Sequence, residues 1–220
     1  MIREIITTKD GSTTIHLPEL NETYHSKFGA IQEAYHVFIK MGFELFSQES
    51  ISILEIGFGT GLNAFITFLE AQKNSKTIDY VGVEAYPVAY DEALQMNYVT
   101  ELNAEVKSEI FSEMHKSSWE EKHTISQNFC LTKRKQLFED IIDENSFDLI
   151  YFDAFGYTVD PNLWNDIIFA KMYKSLKFGG VLVTYACRTS VKNAMMSSGF
   201  SVEKLRGAPG KREMLRAIKN

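Results

Sequence analysis

The stretch ISILEIGFGTG at residues 51–61 decides how this chain folds. Its first half is apolar and β-branched and is too short for a buried helix, so it predicts a buried strand. Gly57, Gly59 and Gly61 follow, and residues 62–69 then keep helical spacing. Glycines at such a turn allow positive φ and let a ligand lie against bare main chain. The stretch therefore predicts a strand, a ligand-binding turn and a helix.

Glu55 lies two residues before the first glycine, so the pattern is E-x-G-x-G-x-G. A dinucleotide site usually has G-x-G-x-x-G and places pyrophosphate at the helix N-terminus. A carboxylate beside the turn repels pyrophosphate and attracts a cation such as the α-ammonium of S-adenosylmethionine. We therefore expect S-adenosylmethionine as the cofactor, bound by Glu55, the three glycines and Asn63 in the first turn of the helix.

A second acid follows the next predicted strand. Residues 79–83 form a short strand that leads into Glu84, 23 positions after Gly61 (84 − 61). In a doubly wound sheet this acid lies at the end of the neighbouring strand and accepts both ribose hydroxyls of the cofactor. We assign Glu84 and the adjacent Ala85 to the cofactor site. The alternative interpretation of Glu84 is a solvent-facing acid at a strand end.

Length and composition indicate a single core. The 220 residues suffice for one large domain, which we divide into residues 1–46, a hairpin and lead-in helix packed on the core, and residues 47–220, the cofactor-binding domain. No apolar run approaches the ~18 residues of a membrane-spanning helix, and the amino terminus lacks the apolar core of a signal peptide. We therefore expect a cytoplasmic protein without membrane contacts. Cys130 and Cys187 are far apart and lack a histidine cluster, so we expect reduced thiols and no metal site.

Charge is distributed unevenly along the chain. The net charge is −6, which taken alone argues against a nucleic-acid partner. From residue 171 onward, eleven basic residues face only Glu203 and Glu213, which gives +9 there and −15 before it (−6 − 9). The basic residues are Lys171, Lys174, Lys177, Arg188, Lys192, Lys204, Arg206, Lys211, Arg212, Arg216 and Lys219. This asymmetry favours a phosphate-binding face, and scattered lysines on solvated helix faces are the alternative.

The rest of the pattern predicts alternating strands and helices. The amino-terminal hairpin is predicted at residues 1–14, with its turn at 9–12. Further strands are predicted at 123–131, 146–153, 181–185, 200–205 and 213–218. Helices are predicted at 30–46, 87–96, 137–142, 191–198 and 165–176, the last ended by a glycine cap at 178–180. Residues 103–114 are predicted to be a further helix or an insertion near the cleft. This order indicates an α/β fold with an open sheet that ends in a hairpin.

Several segments together resemble the MnmC methyltransferase family. They are LEIGFGTGLNA at 54–64, YVGVEAYP at 80–87, FDLIYFDAF at 147–155, DPNLW at 160–164, GGVLVTYA at 179–186, PGKREML at 209–215 and the lead-in YHSKFGAIQEAYHVF at 24–38. The resemblance covers the chain from about residue 10 to 217. It implies a class I S-adenosylmethionine-dependent methyltransferase, with a Rossmann-like seven-stranded sheet whose last strand is antiparallel and a small amino-terminal annex.

The resemblance also implies an activity. A family member is expected to be a bacterial tRNA-modifying enzyme that transfers a methyl group to the primary amine of 5-aminomethyl-2-thiouridine at the wobble position. Members often carry a fused FAD-dependent oxidase that makes the amine, and this chain is too short to include one. We therefore expect a standalone methyltransferase, monomeric, whose partner is the anticodon stem-loop of tRNA.

Asp153, at the end of the fourth core strand, is the candidate catalytic residue. That strand is a nearly continuous apolar run, and ligands of open α/β sheets bind at the carboxyl ends of the strands. An alkylammonium has no lone pair, so methyl transfer needs a deprotonated amine held in line with the C–S bond. Asp153 can orient the amine or take its proton if aromatic surroundings raise its pKa. The alternative is a structural acid that caps the following turn.

The substrate side is assigned to aromatic and basic residues. Phe155, Tyr157 and Trp164 are candidates to stack on a splayed-out wobble base, although core packing is an equal alternative for Trp164, and Tyr185 is assigned to the same side. Phosphate contacts are assigned to Arg188, Lys192, Arg206, Lys211 and Arg212, the last two through the GKREML match. In the lead-in segment, residues 24–38, four side chains can reach the cleft, namely Tyr24, His25, Glu33 and His36. We include Glu33 among the cofactor-binding residues. Core packing or a surface position is the alternative for each of the four.

Other functions stay open at this point. An aminopropyltransferase shares this sheet and also presents an Asp after the fourth strand for an amine acceptor, and another small-amine methyltransferase would use the same parts. A non-catalytic RNA-binding module that retains the cofactor turn is the third alternative.

Overall fold

The computed structural model describes residues 2–220, and Met1 of the predicted hairpin lies outside the described residues. The strands are β1 (Glu4–Thr7), β2 (Thr13–Leu17), β3 (Glu22–Thr23), β4 (Ser50–Ile56), β5 (Thr77–Val83), β6 (Lys122–Ser126), β7 (Phe129–Arg134), β8 (Phe147–Phe152), β9 (Leu176–Thr184), β10 (Ser201–Arg206) and β11 (Glu213–Ile218). The α-helices are α1 (Ala30–Ala34), α2 (Leu62–Lys73), α3 (Tyr90–Ala93), α4 (Tyr98–Glu101), α5 (Ser108–Lys116), α6 (Asp166–Ser175) and α7 (Thr189–Ser197).

The central sheet has eight strands in the order β10-β11-β9-β8-β4-β5-β7-β6. Strands β4, β5, β7, β8 and β9 run parallel, and β11 lies antiparallel between β9 and β10. The α/β class and the reversed last strand are therefore confirmed. The strand order changes direction on either side of β4, so the glycine turn after β4 lies at the topological switch point, where ligands of open sheets bind.

The eighth strand belongs to a hairpin that was not predicted from the sequence. Residues 123–131 were predicted as one strand, but the chain reverses at Gln127 and Asn128, so that β6 pairs antiparallel with β7 and only β7 joins β5. The alternation of apolar residues continues on both sides of the turn, and neither turn residue is a glycine. The prediction of a single strand was therefore wrong.

Other elements are shorter than predicted. The helix predicted at 87–96 is only the single turn of α3, and that predicted at 137–142 is a 3-10 turn, Phe138–Asp140. The glycine cap at 178–180 is also wrong, because α6 ends at Ser175 and those residues lie within β9, where the register with β8 shifts. Gly179, with φ of 76°, belongs to this bulge.

The lead-in helix is irregular. After α1 the chain continues as a π-helical segment, Tyr35–Lys40, and breaks at Gly42 before a 3-10 turn at Phe43–Leu45. A Cβ at Gly42 would lie 2.7 Å from the carbonyl oxygen of Phe38, so the break is tightly packed. Irregular helical turns of this kind are frequent near functional sites.

The two faces of the sheet carry two cores. Phe38, Phe65 and Tyr151 pack on the face covered by α1 and α2, and Phe152 and Phe169 on the face covered by α6 and α7. Alternate residues of the buried parallel strands enter each core. The small sheet β1-β2-β3 joins the first core through Ile15 and Leu17 of β2. Within residues 2–220 no helix combines the length and the hydropathy that crossing a membrane requires.

Candidate active site

The turn after β4 depends on its glycines. Gly57, Gly59 and Gly61 have φ values of 91°, 51° and 72°. A Cβ at Gly57 would lie 2.7 Å from the carbonyl oxygen of Asp153, and one at Gly61 would lie 2.8 Å from a ring nitrogen of His115. Only glycine fits these positions without strain. The turn therefore brings bare main chain from β4 against the end of β8.

Glu84 is held at the rim of this turn. Its Oε2 accepts the N–H of Gly59 at 3.0 Å and its Oε1 accepts the N–H of Tyr86 at 2.9 Å. A carboxylate has about four acceptor positions, so both oxygens keep capacity for ligand hydroxyls. The carboxylate is thus fixed where the chain of β5 leaves the sheet.

A cavity of about 770 Å³ opens over the turn and the ends of β5 and β8. This volume lies within the usual range of small-molecule sites. Six residues assigned from sequence line it, namely Gly57, Gly59, Glu84, Ala85, Asp153 and Phe155. Among the lead-in candidates, Tyr24 and His25 line it as well, whereas His36 is bonded to the carbonyl oxygen of Arg206 at 2.7 Å.

Some lining residues were not foreseen. Leu137, Phe138 and Glu139 line the cavity from the segment after β7, and Asp160 and its neighbours line it from the loop after β8. The segment 137–139 was predicted to begin a helix, but only the 3-10 turn Phe138–Asp140 forms there, and Leu137, Phe138 and Glu139 all line the cavity. Two apolar residues followed by an acid, just beyond the third core strand, were the signal that could have identified it.

Asp153 and Glu55 are joined by one amide. Asn63 Nδ2 donates to Asp153 Oδ2 and to Glu55 Oε1, both at 2.9 Å. Glu55 also accepts the hydroxyl of Tyr80 at 2.9 Å and is 1% exposed. Glu55 and Asn63 therefore lie beneath the turn and not on the cavity wall, and their direct contact with the cofactor stays a prediction.

Burial dominates the acid–base properties of the site. It raises the pKa of Asp153 to about 7, an effect increased by the nearby Glu33 and opposed by the Asn63 hydrogen bond and Lys211. Burial also raises the pKa of Glu55 well above its usual value. The same cause, together with Lys211, lowers the pKa of His25 to about 4, so this imidazole is neutral at pH 7. A carboxyl with a pKa near neutrality is suited to exchanging a proton at physiological pH.

A second cluster lies beside Asp153. The Lys211 ammonium forms an ion pair with Glu33 and lies 3.9 Å from the ring centroid of Tyr185. Tyr185 donates its hydroxyl to the carbonyl oxygen of Ala154 at 2.7 Å. Glu33 and Lys211 therefore pair with each other, and their assignments to the cofactor and to phosphate stay predictions.

The basic face is narrower than the sequence suggested. Six of the eleven basic residues from 171 onward are engaged within the chain by ion pairs or backbone carbonyls, namely Lys171, Lys177, Lys204, Lys211, Arg216 and Lys219. None of the ion pairs found within residues 2–220 includes the other five, Lys174, Arg188, Lys192, Arg206 and Arg212. Arg188, Arg206 and Arg212 lie at the same edge of the sheet as Asp153, because β10 runs parallel to β9 and β11 starts at that edge.

The aromatic candidates for base stacking lie in different environments. Phe155 meets the ring of Tyr24 edge to face, with centroids 5.1 Å apart. Tyr157 lies under the guanidinium of Arg188 at 5.1 Å. Trp164 is 2% exposed and donates its indole N–H to the carbonyl oxygen of Phe155 at 2.8 Å, so it is a core residue.

Comparison with known proteins gives the site a context. The curated relatives include the tRNA 5-methylaminomethyl-2-thiouridine biosynthesis bifunctional protein MnmC of Campylobacter fetus, 31% identical over 211 residues, and that of Actinobacillus pleuropneumoniae, 26% identical over 224. The matches cover 88% and 90% of this chain and 34% and 32% of those proteins, so the chain spans about a third of their length.

Solved structures share the fold. MNMC2 from Aquifex aeolicus superposes with a TM-score of 0.79 at 22% identity, over 98% of this chain and 70% of that one. Spermidine synthase from Thermotoga maritima gives 0.54 at 12% identity, over 98% and 72%. The resemblance to MnmC found in the sequence is thus confirmed. A family model described as S-adenosyl-L-methionine-dependent methyltransferase matches residues 98–220, and the chain belongs to that family.

Proposed function

We propose that this chain transfers a methyl group to the primary amine of 5-aminomethyl-2-thiouridine at the wobble position of tRNA. The product named in its MnmC relatives, 5-methylaminomethyl-2-thiouridine, carries the methylamino group that methylation of a primary amine leaves. The observation that carries the proposal is that Asp153 and the glycine turn face one cavity. The assigned proton acceptor and the assigned cofactor-binding turn therefore lie on the wall of the same cavity.

The residues around the turn fit S-adenosylmethionine. Gly57 and Gly59 offer main chain that no side chain covers, Glu84 offers acceptors for the ribose hydroxyls, and Ala85 adds a small apolar contact. We assign the adenine ring to Leu137 and Phe138, with Glu139 as acceptor for its amino group. When bound, the cofactor supplies an electrophilic methyl carbon on its sulfonium.

We assign to Asp153 the removal of a proton from the acceptor. The primary alkylammonium gives one proton to the Asp153 carboxylate, and the resulting neutral amine has a free lone pair that attacks the methyl carbon. The product is a secondary ammonium, and the proton on Asp153 leaves to solvent. A carboxyl whose pKa is about 7 accepts and releases that proton near neutral pH.

A cluster next to Asp153 borders the assigned amine site. The ammonium of Lys211 lies between the Glu33 carboxylate and the Tyr185 ring, so it compensates Glu33 and lowers the pKa of Asp153. We assign the acceptor amine to the side of Asp153 that faces the cavity. Phe155 lines the cavity, and with Tyr157 it is assigned to stack on the extruded base.

RNA phosphates are assigned to the edge that carries Arg188, Lys192, Arg206 and Arg212. Arg188 and Lys192 follow β9, Arg206 ends β10 and Arg212 precedes β11, so they lie at the same edge of the sheet as Asp153. Lys211 lies in the turn before β11 and is paired with Glu33. The assigned partner is the anticodon stem-loop, whose single-stranded loop can present an unstacked base.

The direct test is nucleoside analysis of tRNA that carries 5-aminomethyl-2-thiouridine after incubation with the protein and S-adenosylmethionine. The account expects the nucleoside to gain one methyl group with wild type and with Asp166→Asn, an exposed change on α6. Asp153→Asn is expected to bind cofactor and to leave the nucleoside unmodified. An unmodified nucleoside with wild-type protein would refute the proposed function.

A second candidate is aminopropyl transfer to a polyamine. The spermidine synthase fold matches at a TM-score of 0.54, and Glu139 and Asp160 add to the acids of the cavity wall. Incubation with decarboxylated S-adenosylmethionine and putrescine distinguishes the two, because spermidine forms only if this second candidate is right.

A further inference from the structure

Asn63 occupies an unusual position between two buried acids. It lies in the first turn of α2, and its single amide nitrogen contacts Glu55 and Asp153 at 2.9 Å each. The nitrogen carries two hydrogens, one for each carboxyl. The reverse amide orientation would direct the Oδ1 oxygen at two carboxyl groups, so the observed orientation is the favourable one. Asn63 is 3% exposed, and its Oδ1 has no hydrogen-bond partner among residues 2–220.

The contacts form a chain that ends at the cavity. Tyr80 on β5 donates to Glu55 on β4, Asn63 on α2 donates to Glu55, and the same amide donates to Asp153 after β8. Only the last member of this chain, Asp153, lines the cavity. Asn63 is therefore the one member of this chain that contacts the carboxyl group to which we assign the amine proton.

We propose that Asn63 is a positioning residue, whose amide fixes the Asp153 carboxylate toward the acceptor amine and couples it to the buried Glu55. This inference rests on the proposed function for the role of Asp153. Glu55 acts through Asn63 and makes no contact with the reacting atoms. The acid of the E-x-G-x-G-x-G pattern thereby anchors the amide that orients Asp153.

The direction of the expected pKa shift follows from the hydrogen bonds. The Asn63 hydrogen bond lowers the pKa of Asp153. The charge of Asp153 adds to the burial that raises the pKa of Glu55. Glu55 is not among the groups that shift the pKa of Asp153, so it serves Asn63 as a hydrogen-bond acceptor. Removing Asn63 deletes the donor, whereas Glu55→Gln keeps an acceptor oxygen for the Asn63 amide and leaves the bond to Asp153 in place.

The other ionisable groups facing Asp153 stay in place in both variants. They are Glu33 on α1, Lys211 before β11, Tyr185 after β9, Tyr80 on β5 and Tyr98 on α4.

The experiment compares pH–rate profiles of methyl transfer for wild type, Asn63→Ala and Glu55→Gln. At saturating cofactor, the acid limb of the profile is expected to move to higher pH by about one unit in Asn63→Ala and to stay in place in Glu55→Gln. Asn193→Ala on the exposed face of α7 is the matched control and should leave the profile unchanged. A purely structural role of Asn63 would lower the rate of Asn63→Ala at every pH without moving the limb, and that result would overturn the inference.

A second readout does not depend on activity. Carbon-13 NMR of aspartate-labelled protein gives the titration of the Asp153 carboxyl, identified by its loss in Asp153→Asn. Asn63→Leu has a similar size and no donor, so it carries the test if Asn63→Ala fails to fold. A higher titration midpoint of Asp153 in the Asn63 variant supports the inference, and an unchanged midpoint refutes it. Failure of wild type to methylate the amine at any pH would refute the proposed function. The effect of Asn63 on the Asp153 carboxyl would still be tested by the NMR titration.

Discussion

Two glycine-rich turns lie near Asp153 and differ in the atoms that they present. The turn at 57–61 presents main chain, because side chains there would collide with Asp153 and His115. The turn at 206–212 presents side chains, with Lys211 directed at Glu33 and Gly210 pressed against the ring of Phe28. We propose that the first turn binds a small cofactor and that Arg206 and Arg212 of the second contact a charged macromolecule. The comparison teaches that glycine content alone does not define a ligand-binding turn.

The largest expected effect is at Asp153, where both turns act. Asp153→Ala removes the assigned proton acceptor, and we expect methyl transfer to fall roughly 100- to 10,000-fold. Cofactor affinity by calorimetry should stay within a few-fold of wild type, because Gly57, Gly59 and Glu84 are intact. A variant that retains the wild-type rate would remove Asp153 from the mechanism.

The next largest effect is expected on cofactor binding in Gly57→Ala, compared with a glycine whose surroundings are empty. Gly57→Ala places a Cβ 2.7 Å from a carbonyl oxygen at φ of 91°, and we expect it to weaken cofactor binding at least tenfold and to destabilise the fold by about 1–3 kcal/mol. Gly179→Ala is the control, since its φ is also positive but nothing lies within 4 Å of its Cβ.

Calorimetry and denaturant unfolding measure both glycine variants. Gly179→Ala should lose some stability and keep full cofactor affinity. Equal loss of affinity in the two variants would contradict the special role of the 57–61 turn.

A smaller effect is expected at the second turn. Lys211→Met leaves the Glu33 carboxylate, whose side chain is 9% exposed, without its cation, and we expect a loss of about 1–3 kcal/mol in unfolding free energy. Because Lys211 lowers the pKa of Asp153, the acid limb of the pH–rate profile should move to higher pH. The double variant Lys211→Met with Glu33→Gln should recover stability, and no recovery would show that the two residues are not coupled.

The smallest effects are expected on the basic edge. Arg188→Glu and Arg212→Glu should each weaken tRNA binding and reduce the slope of log affinity against log salt by about one. Lys174→Glu makes the same change of charge on the exposed end of α6 at the opposite edge of the sheet. Equal loss of affinity in this control would mean that the edge near Asp153 has no special part in RNA binding.

The sequence predicted the features that depend on single strands. Glu84 and Asp153 each follow a short apolar strand, and parallel strands bring such residues to one edge, so both were found on the cavity wall. The hairpin at 122–134 was missed because its turn residues, Gln127 and Asn128, are not the glycine pairs typical of tight turns.

The remaining features depend on contacts between distant segments. The pairing of Glu33 with Lys211 joins the lead-in to the end of the chain, and no local pattern encodes it. The burial of Glu55 also follows from packing, because β4 directs it toward α2 and Tyr80. Composition overstated the basic face for the same reason, since six of its eleven residues are engaged inside the fold.

The most direct test of the central claim is a crystal structure with S-adenosylhomocysteine and an RNA stem-loop that carries the primary amine. The account predicts ribose hydroxyls on Glu84, main chain of Gly57 and Gly59 against the cofactor, and the amine between the sulfur and the Asp153 carboxylate. A cofactor bound away from the turn, or an amine that does not approach Asp153, would contradict it.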